Sequence, residues 1–445
     1  MPNFREKLRL LIAEHAEEYA SKPLIPGIDY LPASGKCVGP DELSMVAEAA
    51  ADMWLTAGRF ATEFEEKFAQ WWSLDKCLLV NSGSSANLLA FFSFTSPSLK
   101  DKAVLRNAEF ITSACCFPST ITPALQYGLH PVFVDVDPMT LNPTVESIRQ
   151  AIGPKTRAVL LAHTMGNPYR SDHIAQLCKD RGIWFLEDCC DALGAKIGDS
   201  PVGSFGDFAT CSFYPAHHLT MGEGGAVLTN DRLLHRIALS LRDWGRDCWC
   251  PPGATNTCKR RFDWQLGNLP VGYDHKYVYS QVGFNLKTTD FQAAVGLAQL
   301  KKLEKFIQKR NANHRYLTRC LQDLGADQYF NLPQATPGTS PSWFGYVLTC
   351  REQGMRTPIV KYLERQKIGT RLLFGGNLTK QPMMADIRWS ASGSLEHSNK
   401  VMNDSFWIGV WPGLGKSHLE YMASKIISAV SDVKPTAKNV VPAAA

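Results

Sequence analysis

Between about residue 76 and residue 230, short runs in which almost every position is apolar alternate with stretches of helical periodicity. The continuous runs are KCLLVNSG, AVLRNAEF, HPVFVDVD, TRAVLLAH, IWFLEDCC, FATCSFYP and GGAVLTN; the periodic stretches include Ser84 to Thr95, Ser147 to Ile152 and Ser171 to Asp180. A strand that is apolar on both faces belongs to a sheet covered on both sides, and intervening helices make that sheet mainly parallel. The predicted class is therefore α/β, with ligands beyond the carboxyl ends of the strands. After residue 288 the pattern changes to one long helical run, TTDFQAAVGLAQLKKLEKFIQKRNANHRYLTRCLQDLG, and then to WFGYVLTC as a strand. The expected organisation is a helical extension over residues 1–40, a large sheet domain over 41–290, a smaller α+β domain over 291–435 and a loose tail over 436–445. The extension rests on MPNFREKLRLLIAEHAEEYA, which alternates charged and apolar residues as an amphipathic helix does.

Composition narrows the picture. A chain of 445 residues, 45% hydrophobic, is long enough for two cores. Charged residues make up 20%, the signs are interspersed and the formal balance is +5, so no basic stripe for nucleic acid is expected and a small-molecule or protein partner fits better. No apolar run reaches membrane-spanning length and the amino terminus lacks the features of a secretory signal. Thirteen cysteines, an odd number and mostly within apolar segments, point to the reducing cytoplasm, where they serve as thiols or metal ligands.

Three segments carry candidate chemistry. In LLVNSGSSANLLA a strand turns into a helix through Asn81-Ser82-Gly83-Ser84-Ser85: glycine admits an anion to the backbone, hydroxyls donate and the helix terminus adds partial positive charge. This is a phosphate seat or an ordinary serine-capped turn. In FLEDCCDALGA, Asp188 ends a strand as a buried carboxylate under the site or as a helix cap. Cys190, Cys248, Cys250 and Cys258 are spaced Cys-x57-Cys-x-Cys-x7-Cys. Four thiolates suit a two-iron, two-sulfur (2Fe-2S) cluster or a structural zinc; Cys-x-Cys is tight for a zinc knuckle, and free thiols are the bland alternative.

Together with MWLTAGRFATEFEEKFA, HPVFVDVD, GEGGAVLTN and FNLKTTDFQAAVGLAQL, these segments resemble the DegT/DnrJ/EryC1/StrS family of sugar aminotransferases over about residues 40 to 430. The resemblance implies the aspartate aminotransferase fold (PLP-dependent fold type I), a homodimer and a cofactor, pyridoxal or pyridoxamine 5'-phosphate (PLP or PMP), bound in the large domain. Gly83, Ser84 and Ser212 would hold its phosphate, Phe117 would stack on its ring and Asp188 would pair with the ring nitrogen. Asn285 would reach the phosphate in the neighbouring subunit, although Lys287 stands where the family often has arginine. In SFYPAHHLTMGEGGAVLTN, His217 occupies the place of the lysine that tethers the cofactor. Imidazole cannot form an imine, so the resemblance implies untethered PMP with His217 as a base. Tyr214 and Asp191 are possible substrate or proton-handling residues, and His218 reads as packing.

Histidine plus the cysteine spacing resembles the iron-sulfur branch of the family. It implies loss of hydroxide from carbon 3 of a nucleotide-linked 4-keto-6-deoxyhexose, with CDP-6-deoxy-L-threo-D-glycero-4-hexulose as substrate. It also implies an NAD(P)H-dependent flavin and iron-sulfur reductase as partner, on the way to 3,6-dideoxy sugars of lipopolysaccharide O-antigen. The alternatives are a TDP-linked sugar, an aminotransferase, and a redox-sensing protein without turnover. The basic run Lys259 to Arg261 docks the reductase, meets the nucleotide diphosphate or is merely solvated.

Overall fold

The computed structural model describes residues 3–19, 23–251 and 253–437. The loose tail expected from residue 436 is helical as far as Ala437, and its remainder lies outside the described residues.

The first nine strands are β1 (Lys76–Val80), β2 (Glu109–Ser113), β3 (His130–Val134), β4 (Thr156–Ala162), β5 (Trp184–Asp188), β6 (Lys196–Ile197), β7 (Ser200–Pro201), β8 (Phe208–Ser212) and β9 (Gly225–Thr229). They are followed by β10 (Phe330–Asn331), β11 (Thr339–Ser340), β12 (Gly345–Cys350), β13 (Ser390–Ala391) and β14 (Ser405–Gly409). The main sheet has eight strands in the order β1-β9-β8-β5-β4-β2-β3-β13. Only β9 runs against its neighbours, β1 and β8; the other pairings are parallel. The mainly parallel sheet predicted from fully apolar runs is thus present, and β8 and β9 are buried at every position. One expected strand is shortened: AVLRNAEF pairs only from Glu109, because Asn107 takes a left-handed conformation (φ 64°) and turns the chain into β2.

Helices cover both faces. They are α1 (Phe4–Glu14), α2 (Pro40–Asp52), α3 (Arg59–Trp72), α4 (Gly83–Phe94), α5 (Pro118–Tyr127), α6 (Val145–Ala151), α7 (Ser171–Arg181) and α8 (Arg232–Arg242). The remaining ones are α9 (Asp290–Leu300), α10 (Leu303–Asp323), α11 (Arg356–Arg365), α12 (Glu396–Asp404) and α13 (Lys416–Ala437). One core places Phe64, Phe68 and Trp72 of α3 and Leu297 of α9 against the sheet; on the other face Leu89 and Phe94 of α4 and Ile237 of α8 do the same. A third core joins α10, α11 and α13 to the antiparallel sheet β10-β12-β14.

The long helical run after residue 288 is two helices. Around Lys301 and Lys302 the chain turns, and the Lys302 ammonium lies 2.8 Å from Glu42 and 2.9 Å from Asp41 at the start of α2. The buried helix α9 thereby stays with the large sheet while α10 leads to the small one. At the amino terminus, Asn3 and Glu6 form a capping box and Arg5 pairs with Asp52 at 2.5 Å, which seats α1 on α2.

Candidate active site

The carboxyl ends of β1, β5 and β8 open into a cleft of about 510 Å³. Gly83, Ser84 and Ser212 lie in its wall. Ser82 caps α4 by accepting the Ser85 N–H at 3.1 Å, which leaves the first turn of the helix facing the cleft. Glycine is required here by close approach. A Cβ on Gly83 would sit 2.5 Å from Cβ of Ser212, and one on Gly225 would sit 2.3 Å from the Ser82 carbonyl oxygen. The turn after β1 is pressed against the end of β8 and the start of β9, and this contact shapes the wall of the cleft.

Asp188 ends β5 on the cleft floor, 4% exposed. Its Oδ2 accepts hydrogen bonds from Asn87 Nδ2 and Thr120 Oγ1, both at 2.8 Å, and its Oδ1 accepts the Cys190 N–H at 3.1 Å. Asn87 is in turn held by the Thr210 hydroxyl at 2.6 Å. Asn87, Thr120 and Thr210 were not singled out from the sequence. The available signal was weak: a polar residue in the otherwise apolar NLLAFF of α4, and hydroxyls that only tertiary folding brings to the carboxylate.

After β8 the chain makes a turn closed by the His217 N–H donating to the Tyr214 carbonyl at 3.0 Å. His217 Nδ1 then lies 3.4 Å from Asp191 Oδ1. Behind the turn, the buried Arg310 guanidinium donates to the carbonyls of Ala216, His217 and Phe344 at 3.2, 3.3 and 2.8 Å. Burial, with the positive charge of Arg310 added to it, pushes the His217 imidazole down to about 4. Burial next to the Asp188 charge pushes Asp191 up to about 8. At neutral pH the pair is therefore a neutral imidazole beside a protonated carboxyl. His218 turns the other way: its Nε2 contacts the Ser342 carbonyl at 3.0 Å in the core, as packing requires.

Phe117 and Tyr214 stand at the rim of the cleft, each 52% exposed. The small domain contributes Phe344, Arg371 and Trp407 to the opposite wall. Beside the cleft, His163, Glu187 and Cys189 form the single compact group of metal-ligating residues found among the described residues. Its groups are already engaged. Glu187 accepts the N–H groups of Phe205 and Gly206 at 2.9 and 2.6 Å, and His163 stacks on Tyr169 at 4.0 Å.

Nine of the residues singled out from the sequence converge on the cleft: Gly83, Ser84, Phe117, Asp188, Cys190, Asp191, Ser212, Tyr214 and His217. Four do not line it. Asn285 is exposed and accepts the Lys287 ammonium at 2.6 Å, and that ammonium lies 3.6 Å from the centre of the Trp244 ring. Cys248, Cys250 and Cys258 belong to the irregular segment after α8. The thiols of Cys248 and Cys250 are hydrogen-bonded to each other, and Cys250 also meets the Thr257 hydroxyl at 3.0 Å and the Cys258 N–H. Cys190 takes no part in this group.

Comparison with known proteins agrees with the geometry. Residues 36–427 match the model of the DegT/DnrJ/EryC1/StrS aminotransferase family. The chain is 48% identical to the lipopolysaccharide biosynthesis protein RfbH of Salmonella typhimurium, over 95% of this chain and 97% of that one. It is 45% identical to a dTDP-4-dehydro-2,6-dideoxy-D-glucose 3-dehydratase of Saccharopolyspora spinosa, over 97% and 93%. Among solved structures, the E. coli GDP-4-keto-6-deoxy-D-mannose-3-dehydratase with bound hydrated PLP superposes with a TM-score of 0.79 at 25% identity, covering 90% of this chain and 99% of that one. Fold, cleft and sequence matches agree: the chain has the PLP-dependent aminotransferase fold and belongs to the DegT/DnrJ/EryC1/StrS aminotransferase family.

Proposed function

We propose that the protein is a nucleotide-sugar 3-dehydratase that removes the carbon-3 hydroxyl of a nucleotide-linked 4-keto-6-deoxyhexose with the help of PMP. The observation that carries the reading is an imidazole, His217, beside a carboxyl, Asp191, in a cleft with no lysine on its described wall.

The cleft fits the cofactor. The first turn of α4 with Ser84 and Ser212 suits its phosphate, the hydrogen-bonded Asp188 carboxylate suits a protonated ring nitrogen, and Phe117 offers an aromatic face. When bound, PMP supplies an amine that condenses with the 4-keto group and a ring that withdraws electrons from the adjoining carbon. The residues of the chain do the rest. Asn87 and Thr120 donate to Asp188 and fix its orientation on the cleft floor, where it would meet the ring nitrogen. His217 is neutral at working pH and takes up a proton, and Asp191, whose Oδ1 lies 3.4 Å from the imidazole Nδ1, carries a proton of its own. Arg371 at the mouth is placed to meet the diphosphate of the substrate.

The named relatives that are 3-dehydratases support this reaction, and RfbH supports a role in lipopolysaccharide biosynthesis; the CDP-linked sugar that the sequence resemblance implies is the substrate to test first. Completing deoxygenation takes two electrons, for which the partner is an NAD(P)H-dependent reductase. The 2Fe-2S expectation rests on cysteine spacing alone. Among the described residues the four thiols do not gather into one compact group of ligands.

The test is incubation of the PMP-loaded protein with CDP- and dTDP-linked 4-keto-6-deoxyhexoses, followed by mass spectrometry. Without a reductant, oxygen from solvent should exchange into the carbon-3 hydroxyl of the CDP sugar; with two electrons supplied through a reductase, the sugar should be recovered one oxygen lighter as the 3,6-dideoxy-4-keto product. Appearance of a 4-amino sugar instead, or borohydride fixation of PLP to the chain, overturns the reading.

A further inference from the structure

The turn that carries His217 is held from behind by a cation that does not line the cleft. Arg310, on α10, is 1% exposed, and burial lowers its guanidinium only to about 10, so it keeps its charge at neutral pH. Burying a guanidinium is costly, and an apolar side chain of similar volume fills such a space at lower cost. Stability alone therefore does not account for a cation at this place. Its hydrogen bonds join two parts of the molecule. Nη2 donates to the Ala216 and His217 carbonyls at 3.2 and 3.3 Å, in the turn after β8, and Nη1 donates to the Phe344 carbonyl at 2.8 Å, one residue before β12 of the small sheet.

The segment before β12 is a firm anchor. Asn311, next on α10, donates to the Pro341 carbonyl at 2.9 Å and accepts the Trp343 N–H at 3.0 Å. From the large domain, His218 Nε2 meets the Ser342 carbonyl at 3.0 Å and the Met165 carbonyl accepts the Phe344 N–H at 2.9 Å. In front of the turn the His217 and Phe344 rings lie 5.3 Å apart, and both residues line the cleft. The other restraints on the imidazole are a bond to the Cys190 backbone and Asp191 Oδ1 at 3.4 Å, which is long for a hydrogen bond. A base misplaced by about 1 Å loses on the order of 100-fold in rate, so whatever holds the turn holds the chemistry. A planar fork with donors on both arms spans from the turn to the anchor, whereas an ammonium gathers its donors at one point.

We propose that Arg310 is a positioning residue for the catalytic base: its fork clamps the His217 turn to the segment before β12 and so sets where the imidazole stands in the cleft. The inference rests on the reading of His217 as the base of a 3-dehydratase. Arg310 acts only through the turn.

The experiment compares Arg310→Gln and Arg310→Lys with the wild type, all as PMP-loaded protein. The first keeps one planar donor arm and loses the charge; the second keeps the charge and loses the fork. Two quantities are read. One is kcat and KM for entry of labelled solvent oxygen into the carbon-3 hydroxyl of the CDP-linked 4-keto-6-deoxyhexose, and the other is the nitrogen NMR signal of His217 without substrate, identified by its absence in His217→Asn. For Arg310→Gln, kcat should fall about 10- to 100-fold while KM and PMP affinity stay within about twofold, and the His217 signal should move or broaden. Arg310→Lys should recover part of the loss, to within about tenfold of the wild type. A folded Arg310→Gln with wild-type kcat and signal overturns the inference. A loss confined to KM, PMP affinity or melting temperature marks a structural role and overturns it too. Should Arg310→Gln fail to fold, Arg310→Lys decides: lower kcat at unchanged KM with an altered His217 signal supports the inference, and wild-type values overturn it. A wild type without oxygen exchange overturns the 3-dehydratase reading and takes this inference with it, whereas unchanged variants beside an active wild type overturn the inference alone.

Discussion

The cleft and the cysteine segment are built in opposite ways. Around Asp188 and His217 each polar group sits at the end of a buried strand or on a helix packed across it, and its neighbours are fixed by backbone ladders and short buried hydrogen bonds. Among the described residues from Trp244 to Gln281 the only regular element is one turn of 3-10 helix, and the segment is held by rings, guanidinium groups and a few bonds on the surface. The first region is complete in a single chain because the sheet that positions it is also the core. The second is held by contacts made outside any sheet, so its conformation is set by side chains rather than by a backbone ladder.

The largest effect that tests this contrast is His217→Asn. Elimination should fall about 100- to 10,000-fold while melting temperature and PMP binding stay near wild type, because the asparagine fills the same turn without a base. Equal turnover in a mass-based assay would remove the imidazole from the chemistry. Next comes Gly83→Ala. The new methyl must push Ser212 away, so a loss of about 1–3 kcal/mol in urea unfolding and weaker PLP binding by absorbance titration are expected.

Trp249→Ala should behave differently. Stability should change by about 0.5 kcal/mol or less, while proteolysis within 246–279 and amide exchange there accelerate. If instead the whole protein melted earlier, the segment would be part of the core and the comparison would fail.

The smallest effects are on pH and have opposite signs in the two regions. Burial behind the sheet raises Asp207 to about 6, so the folded state binds more protons than the unfolded one. Its contribution is present at low pH and declines as pH rises from about 4 through 6. Asp207→Asn should flatten stability across that window. In the cysteine segment, Arg261 holds Asp274 below the ordinary carboxylate range, so its contribution is present at neutral pH and disappears only in stronger acid; Asp274→Asn should remove that loss. Denaturant titrations at several pH values separate the two.

Much of this was legible before folding. Seven apolar runs and their spacing named the sheet, and the strand-to-helix turn at Gly83, the acid at Asp188 and the histidine pair marked the cleft. What could not be read was pairing between distant side chains. Asn87 and Thr120 are unremarkable in sequence, and only the crossing of α4 and α5 over β5 turns them into donors to Asp188. Arg310 sits within the long helical run, yet folding places it behind His217, donating to three backbone carbonyls.

By itself the sequence determined which chemistry is available: hydrophobic periodicity is local, so it names strands and helices, and replacing lysine by histidine removes an amine whatever the fold does. Only the tertiary structure decided where each group stands and in what charge state. Proton affinity depends on burial and on neighbours both near and far along the chain, which is how Asp191 comes to hold its proton beside a neutral His217. It also decided that Cys190 lines the cleft while Cys248 lines a separate recess, since a spacing along the chain carries no information about distance in space.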